Sequence, residues 1–214
     1  MLLNDKEIMD RCLWKSLVPP PTTWGPMIAP FNMVQVTQAQ NGGRAISSGL
    51  SSVGYDIRLG SKIKMFRPTL YSTVVDPKNF KEAQLLEEYD VRGGGYEMSG
   101  AAFGAFDLPP HGYVLGVSME RFHMPDDVAA ICLTKSTYAR CGILLNTTPL
   151  EPGWTGYLTL EIANLTDLAI RVYTGEGIAQ VMFFKHNRPD VTYGDRNGKY
   201  MDQEASPMAP RTVG

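Results

Sequence analysis

From residue 46 onward, apolar residues come in short bursts separated by turn formers. Stretches 55–59 and 157–163 alternate apolar with polar, the period-2 signature of a strand with one buried face. Runs 63–66, 113–118, 128–133, 143–145, 168–173 and 178–184 read as further strands, separated by breaks such as Asp76-Pro77, Gly93-Gly94-Gly95 and Pro109-Pro110-His111-Gly112. Short strands at this spacing predict a mainly β protein, a sandwich or barrel. One helix is predicted near the start, over about residues 5–13. Ile8, Met9, Cys12 and Leu13 follow helical spacing there, and Asn4 with Glu7 has the spacing of a capping box. Pro19-Pro20-Pro21 then imposes an extended link, and Asn41-Gly42-Gly43 a turn.

Length and composition narrow this picture. The 214 residues, 43% hydrophobic, suit a single domain spanning 1–214. An N-terminal extension covers about residues 1–45. A polar tail or lid covers about residues 187–214, with Gly194, Gly198, Pro207 and Pro210 in it. The formal net charge of -2 is no footprint for a nucleic-acid polymer, although it permits a local basic pocket for one small anion. Three cysteines without a C-x-x-C spacing read as reduced thiols, with Cys132 a small core residue. Charges in the first residues argue against a signal peptide, and no run has the length of a membrane span. The expectation is a soluble, cytoplasmic protein.

Candidate chemistry concentrates in three places. The segment TKSTYARCGI sets Lys135, Ser136, Thr137 and Arg140 between two apolar runs, with no acid among them. On one helical turn Ser136 and Arg140 share a face, and the turn's first N–H groups add donors for a phosphate. By chemistry alone, an anion site and a solvated turn both stay open. In EPGWTGYLTLEIAN, Trp154 is expected beneath the Pro152-Gly153 turn, and Leu158, Leu160 and Ile162 take one side of a strand. Tyr157, Thr159, Glu161 and Ala163 take the other, so Glu161 is either an exposed strand carboxylate or a general base raised toward neutrality in a dry pocket. Tyr193, Lys199 and Gln203 in the tail offer an aromatic, a cation and an amide that could close over a nucleotide. Walker and Rossmann loops, the G-x-S-x-G elbow and the H-x-E with P-C-x-x-C of zinc deaminases are all missing. His111, His123 and His186 lack metal-ligand spacing and read as structural or surface residues.

KSTYARCGI, NTTPLEPGWTGYLTLE, EGIAQVMFF and GKYMDQ, in that order, closely resemble the dCTP deaminases of the dUTPase-like superfamily; SSVGYDIRLG and VDPKNF fit the same family's N-terminal half. The resemblance runs from about Ile46 to Gln203. It implies a distorted jelly-roll β-barrel that forms homotrimers, hexamers also being an option, with active sites between subunits. It implies hydrolysis of dCTP to dUTP and ammonia without zinc, Mg²⁺ riding on the triphosphate, and dTTP as a candidate inhibitor. Carried over by residue, Lys135, Ser136, Thr137, Tyr138, Ala139 and Arg140 match the nucleotide-binding segment, and Glu151 in the following turn is a further nucleotide-binding residue. Thr159, Leu160 and Glu161 meet the base, Gln180, Tyr193, Lys199 and Gln203 add contacts, and Glu161, Ser136 and Arg140 are the catalytic set.

The chain departs from the common pattern at Thr134, where a glycine is frequent, at Glu151, where many members carry aspartate, and in the tail QEASPMAPRTVG. Alternatives are a dUTP diphosphatase or bifunctional enzyme, a non-catalytic nucleotide-binding trimer, and a changed preference for dCMP or a modified cytosine. The absence of a Phe from the tail and Pro149 in the turn speak against pyrophosphate release.

Overall fold

The structure is a computed structural model that describes residues 1–13, 25–38, 43–67, 74–91, 104–196 and 198–211. The triple proline, Asn41-Gly42 and the triple glycine lie outside the described residues. The chain runs α1 (Asp5–Leu13), β1 (Ile28–Ala29), β2 (Val36–Gln38), β3 (Arg44–Ser51), β4 (Gly54–Arg58), β5 (Lys62–Phe66), α2 (Glu82–Leu85) and β6 (Leu86–Asp90). It continues through β7 (Ala105–Leu108), β8 (Tyr113–His123), β9 (Val128–Thr134), α3 (Ser136–Arg140), β10 (Ile143–Asn146), β11 (Thr155–Asn164), β12 (Ile170–Tyr173) and β13 (Gly177–Lys185).

Two large antiparallel sheets enclose one core. The first has the order β10-β11-β8-β5-β6, with β1 added against β8; the second has the order β2-β3-β4-β13-β9. Strands β12 and β7 form a separate pair. Tyr55 and Ile57 from β4, Val181 and Phe183 from β13, Phe122 from β8, and Leu160 and Ile162 from β11 share a continuous apolar cluster. Burying such side chains is the main force holding the sheets face to face. This is the jelly-roll class expected, although no closed ring of strands forms among the described residues.

Local signals translate directly into structure. Helix α1 covers the expected residues, and its cap is reciprocal: Asn4 N–H donates to Glu7 Oε2 at 3.0 Å, and Glu7 N–H donates to Asn4 Oδ1 at 2.9 Å. Two strands differ from expectation. Strand β8 extends to His123, five residues past the predicted end, because Glu120 is fully buried rather than a polar stop. Its carboxylate takes Arg58 Nε at 2.7 Å and Arg58 N–H at 2.9 Å, so the charge is paired. Strand β4 is buried on both faces at Tyr55, Asp56 and Ile57, not on one, because β3 and β13 flank it and Asp56 has found a cation. Short β6 and β7, helix α2 and the edge strands β1 and β2 escape a period-2 reading.

Candidate active site

Strand β11 carries the first half of the site. Leu158, Leu160 and Ile162 point into the core, which leaves Thr159 and Glu161 on the opposite face. That face floors a cleft of about 1550 Å³, shared by Thr159, Glu161, Glu151, Tyr193, Lys199 and Gln203. Leu115 of β8 and Asn146 of β10 stand directly opposite Glu161. Glu161 Oε2 is buried and has no hydrogen-bond partner among the described residues. Burial pushes the Glu161 carboxyl up to about 7, the range in which a carboxylate can both take and return a proton at neutral pH. The Tyr113 hydroxyl, on the cleft wall, is also raised, first by burial and then by the Glu161 charge.

The tail supplies the roof. Gln203 is buried; Tyr157 N–H donates to its carbonyl at 2.9 Å, and its Nε2 donates to Thr159 Oγ1. Met208 N–H donates to the same hydroxyl at 3.2 Å. Ala209 packs on Leu85, Leu86 and Leu115. Tyr193 Oη accepts from Tyr200 N–H at 3.1 Å, and Lys199 Nζ donates to Arg211 O at 2.9 Å. Trp154 is buried and donates its Nε1–H to Tyr200 O at 2.9 Å. The polar tail is therefore fastened across the cleft.

The basic segment forms the second half, elsewhere on the chain. Lys135 is not without an acid, as its own neighbourhood in sequence suggested: Asp56, 79 residues away, sits 2.5 Å from its Nζ. Gln35 Nε2 donates to Asp56 Oδ2 at 3.1 Å. Gln180, opposite Asp56 in the β4–β13 ladder, donates to Ser51 Oγ at 3.2 Å. The next residues make α3, one turn long, so Ser136 and Arg140 do share a face; Arg140 Nη1 donates to Ser136 O at 3.2 Å. Ser136, Thr137, Ala139 and Arg140 are exposed. Tyr138 is buried, its hydroxyl accepting from Tyr173 N–H at 2.9 Å, and Leu160 is a core side chain, so neither offers its side chain to a ligand here.

The predicted residues thus fall into two groups. Glu151, Thr159, Glu161, Tyr193, Lys199 and Gln203 meet in the cleft, while none of residues 135–140 and not Gln180 lines it. Pattern reading missed three contributors. Thr147 lines the cleft with a buried Oγ1 that has no partner among the described residues, Tyr113 walls it, and Asp56 holds Lys135. Only Thr147 carried a signal, in the polar pair Thr147-Thr148 before the apolar Leu150. Among the described residues no group of three His, Cys, Asp or Glu could hold a metal ion, and no helix is long and apolar enough to cross a membrane.

Fold and cleft together define a jelly-roll-like β protein whose cleft holds a carboxyl raised by burial, with one buried oxygen unpartnered among the described residues. The profile of the dCTP deaminase-like family matches residues 27–186, and the chain belongs to that family. It is 46% identical over 179 residues to a dCTP deaminase of Leptothrix cholodnii, covering 83% of this chain and 87% of that protein. It is 47% identical over 179 residues to one of Campylobacter concisus, covering 83% and 86%. With one of Psychrobacter cryohalolentis it shares 45% over 189 residues, covering 87% and 91%. A crystal structure of 2'-deoxycytidine 5'-triphosphate deaminase from Agrobacterium tumefaciens superposes with a TM-score of 0.55 at 22% identity, which speaks to fold alone. That match covers 85% of this chain, which spans about half of the solved one, 47%.

Proposed function

We propose that this chain hydrolyses the 4-amino group of dCTP, releasing dUTP and ammonia. The observation that carries the reading is Glu161: a half-buried carboxyl on a cleft floor, its Oε2 without a partner among the described residues, with burial pushing it up to about 7. Family membership supplies the substrate. As carboxylate, Glu161 takes a proton from water while the water oxygen bonds to C4 of cytosine. Glu161 passes that proton to N3. It then carries the new hydroxyl's proton to the amino group, which leaves as ammonia as the C4 carbonyl forms. Water and dCTP are consumed, and dUTP and ammonia result.

Ser136 and Arg140 enter from an adjoining protomer. On a single chain they are exposed and away from the cleft, which suits residues that complete a neighbour's site. The outward faces beside α3 support an oligomer, in our reading a trimer. Ile131 and Leu133 on β9 and Leu144 on β10 are exposed apolar residues, Leu133 and Leu144 by half or more. Lys135, Thr137 and Gln180 then receive the triphosphate and sugar, with Tyr193 and Lys199 closing over them. Mg²⁺ fits as a passenger on the phosphate oxygens, where it offsets their charge. A reducing, cytoplasmic setting suits the free thiols of Cys12, Cys132 and exposed Cys141. The test is product analysis with dCTP: dUTP and ammonia support the reading, whereas dUMP with pyrophosphate, or tight binding without ammonia, overturns it. The same assay, run with dTTP, with dCMP and with 5-substituted dCTP, fixes inhibition and preference.

A further inference from the structure

Among the contacts that bring the tail to the cleft, Asp202 and Gln203 are pinned to the edge of β11. Asp202 N–H donates to Thr155 O at 2.9 Å, and Tyr157 N–H donates to Gln203 O at 2.9 Å. Asp202 itself is held at φ +51, a left-handed conformation that costs a non-glycine residue free energy and persists only where contacts enforce it. The Asp202 side chain is held by Arg121 of β8. Its Nη2 donates to Asp202 Oδ1 at 2.8 Å, and its Nη1 lies 2.8 Å from His123 Nε2.

Arginine has donors alone, so His123 Nε2 must present its lone pair. The proton of the neutral ring then sits on Nδ1, which lies 2.9 Å from Thr155 Oγ1 and donates to it. Thr155 hands its own proton to Phe122 O at 3.1 Å. Every position in this chain is consistent with one protonation state of His123. A second proton, on Nε2, would point an N–H at the Arg121 donors and set two cations side by side.

We infer that His123 is a positioning residue: its neutral ring steers Arg121 onto Asp202, which sets Gln203 against Thr159, and acid releases this latch. The charged groups facing His123 are Arg121 of its own strand and Asp202 of the tail; Thr155 of β11 is the neutral neighbour. Burial first, then the Arg121 charge, keep the ring's titration below the ordinary histidine range, with Asp202 opposing. The latch is therefore closed at neutral pH and opens as pH falls through the lowered value. Its link to catalysis rests on the deaminase reading, through the role given to Gln203, but the latch itself does not.

Hydrogen exchange of the free protein, corrected for the intrinsic pH effect, tests it. At pH 7.5 the Asp202 and Tyr157 amides should be protected, and as pH is lowered stepwise to 4 that protection should fall about two- to fivefold, the scale of a partly exposed ion pair. His123→Gln, whose amide oxygen can accept from Arg121 but does not titrate, should remove the pH response. His123→Phe, with no acceptor, should expose both amides at either pH. Protection that does not change with pH in the wild type, or His123→Gln responding to acid as the wild type does, would overturn the inference. A working latch in a protein that leaves dCTP untouched would sink the deaminase reading alone.

Discussion

Lys135 Nζ lies 2.5 Å from Asp56 Oδ2, and this pair fastens the basic segment to β4 with side chains only 11% and 7% exposed. Two nearly dry charges support each other, and deleting one strands the other. Asp56→Ala should therefore cost about 2–4 kcal/mol of folding free energy in urea titrations. Asp56→Leu with Lys135→Met should recover most of it, because two apolar groups leave no charge unpaired.

The raised Glu161 carboxyl sets two pH dependences. As the proposed free-enzyme base it must be ionised, so kcat/KM for dCTP should climb with pH and level off above about 7. For folding the sign is opposite. The folded state holds the Glu161 proton more tightly than the unfolded chain, so this stability is complete below the ordinary value of 4.5 and is lost as pH rises through about 7. Glu161→Gln should thus be more stable than the wild type at pH 8 by about 1–2 kcal/mol, the shift being discounted for the water that reaches the carboxyl. The gap should close near pH 4. Thermal denaturation at the two pH values measures this directly.

The proposed division of the site between protomers predicts complementation. Arg140→Ala and Glu161→Gln should each be inactive alone. Subunits mixed after reversible dissociation should regain about a quarter of wild-type activity, because in a closed ring one neighbour pairing in four is intact. Absence of any recovery in verified mixed oligomers would place both groups in one chain's site.

Gly198 fits under the Tyr193 ring only because it lacks a side chain: a Cβ there would run into Tyr193 Cε1 and Cζ. Gly198→Ala should push Tyr193 off Tyr200 N–H and raise KM for dCTP about tenfold, with a smaller change in kcat. Steady-state kinetics decide it.

What the sequence disclosed follows from how far each interaction reaches along the chain. The Asn4–Glu7 cap spans three residues, and the β11 alternation that lifts Thr159 and Glu161 off the core is written in consecutive letters. The β8 extension hid behind Glu120 and Arg121, charges that look like a strand end until Arg58 is placed beside the first and Asp202 beside the second. Lys135 looked free of acids because Asp56 is 79 residues distant. Tyr138 sits in a polar string but turns inward, since the alternate face of a single helical turn must pack on something. The tail read as an arm because its anchors, Thr155, Tyr157 and Thr159, belong to a strand some forty residues earlier, as the Thr159–Gln203 separation of 44 shows.

Ammonia release from dCTP by Glu161→Gln probes the proton-carrying carboxyl most directly. With the oligomer and the fold retained, turnover should drop about 10²- to 10⁴-fold, the range of general acid–base catalysis. A correctly assembled Glu161→Gln protein that deaminates dCTP at the wild-type rate would contradict that role for Glu161.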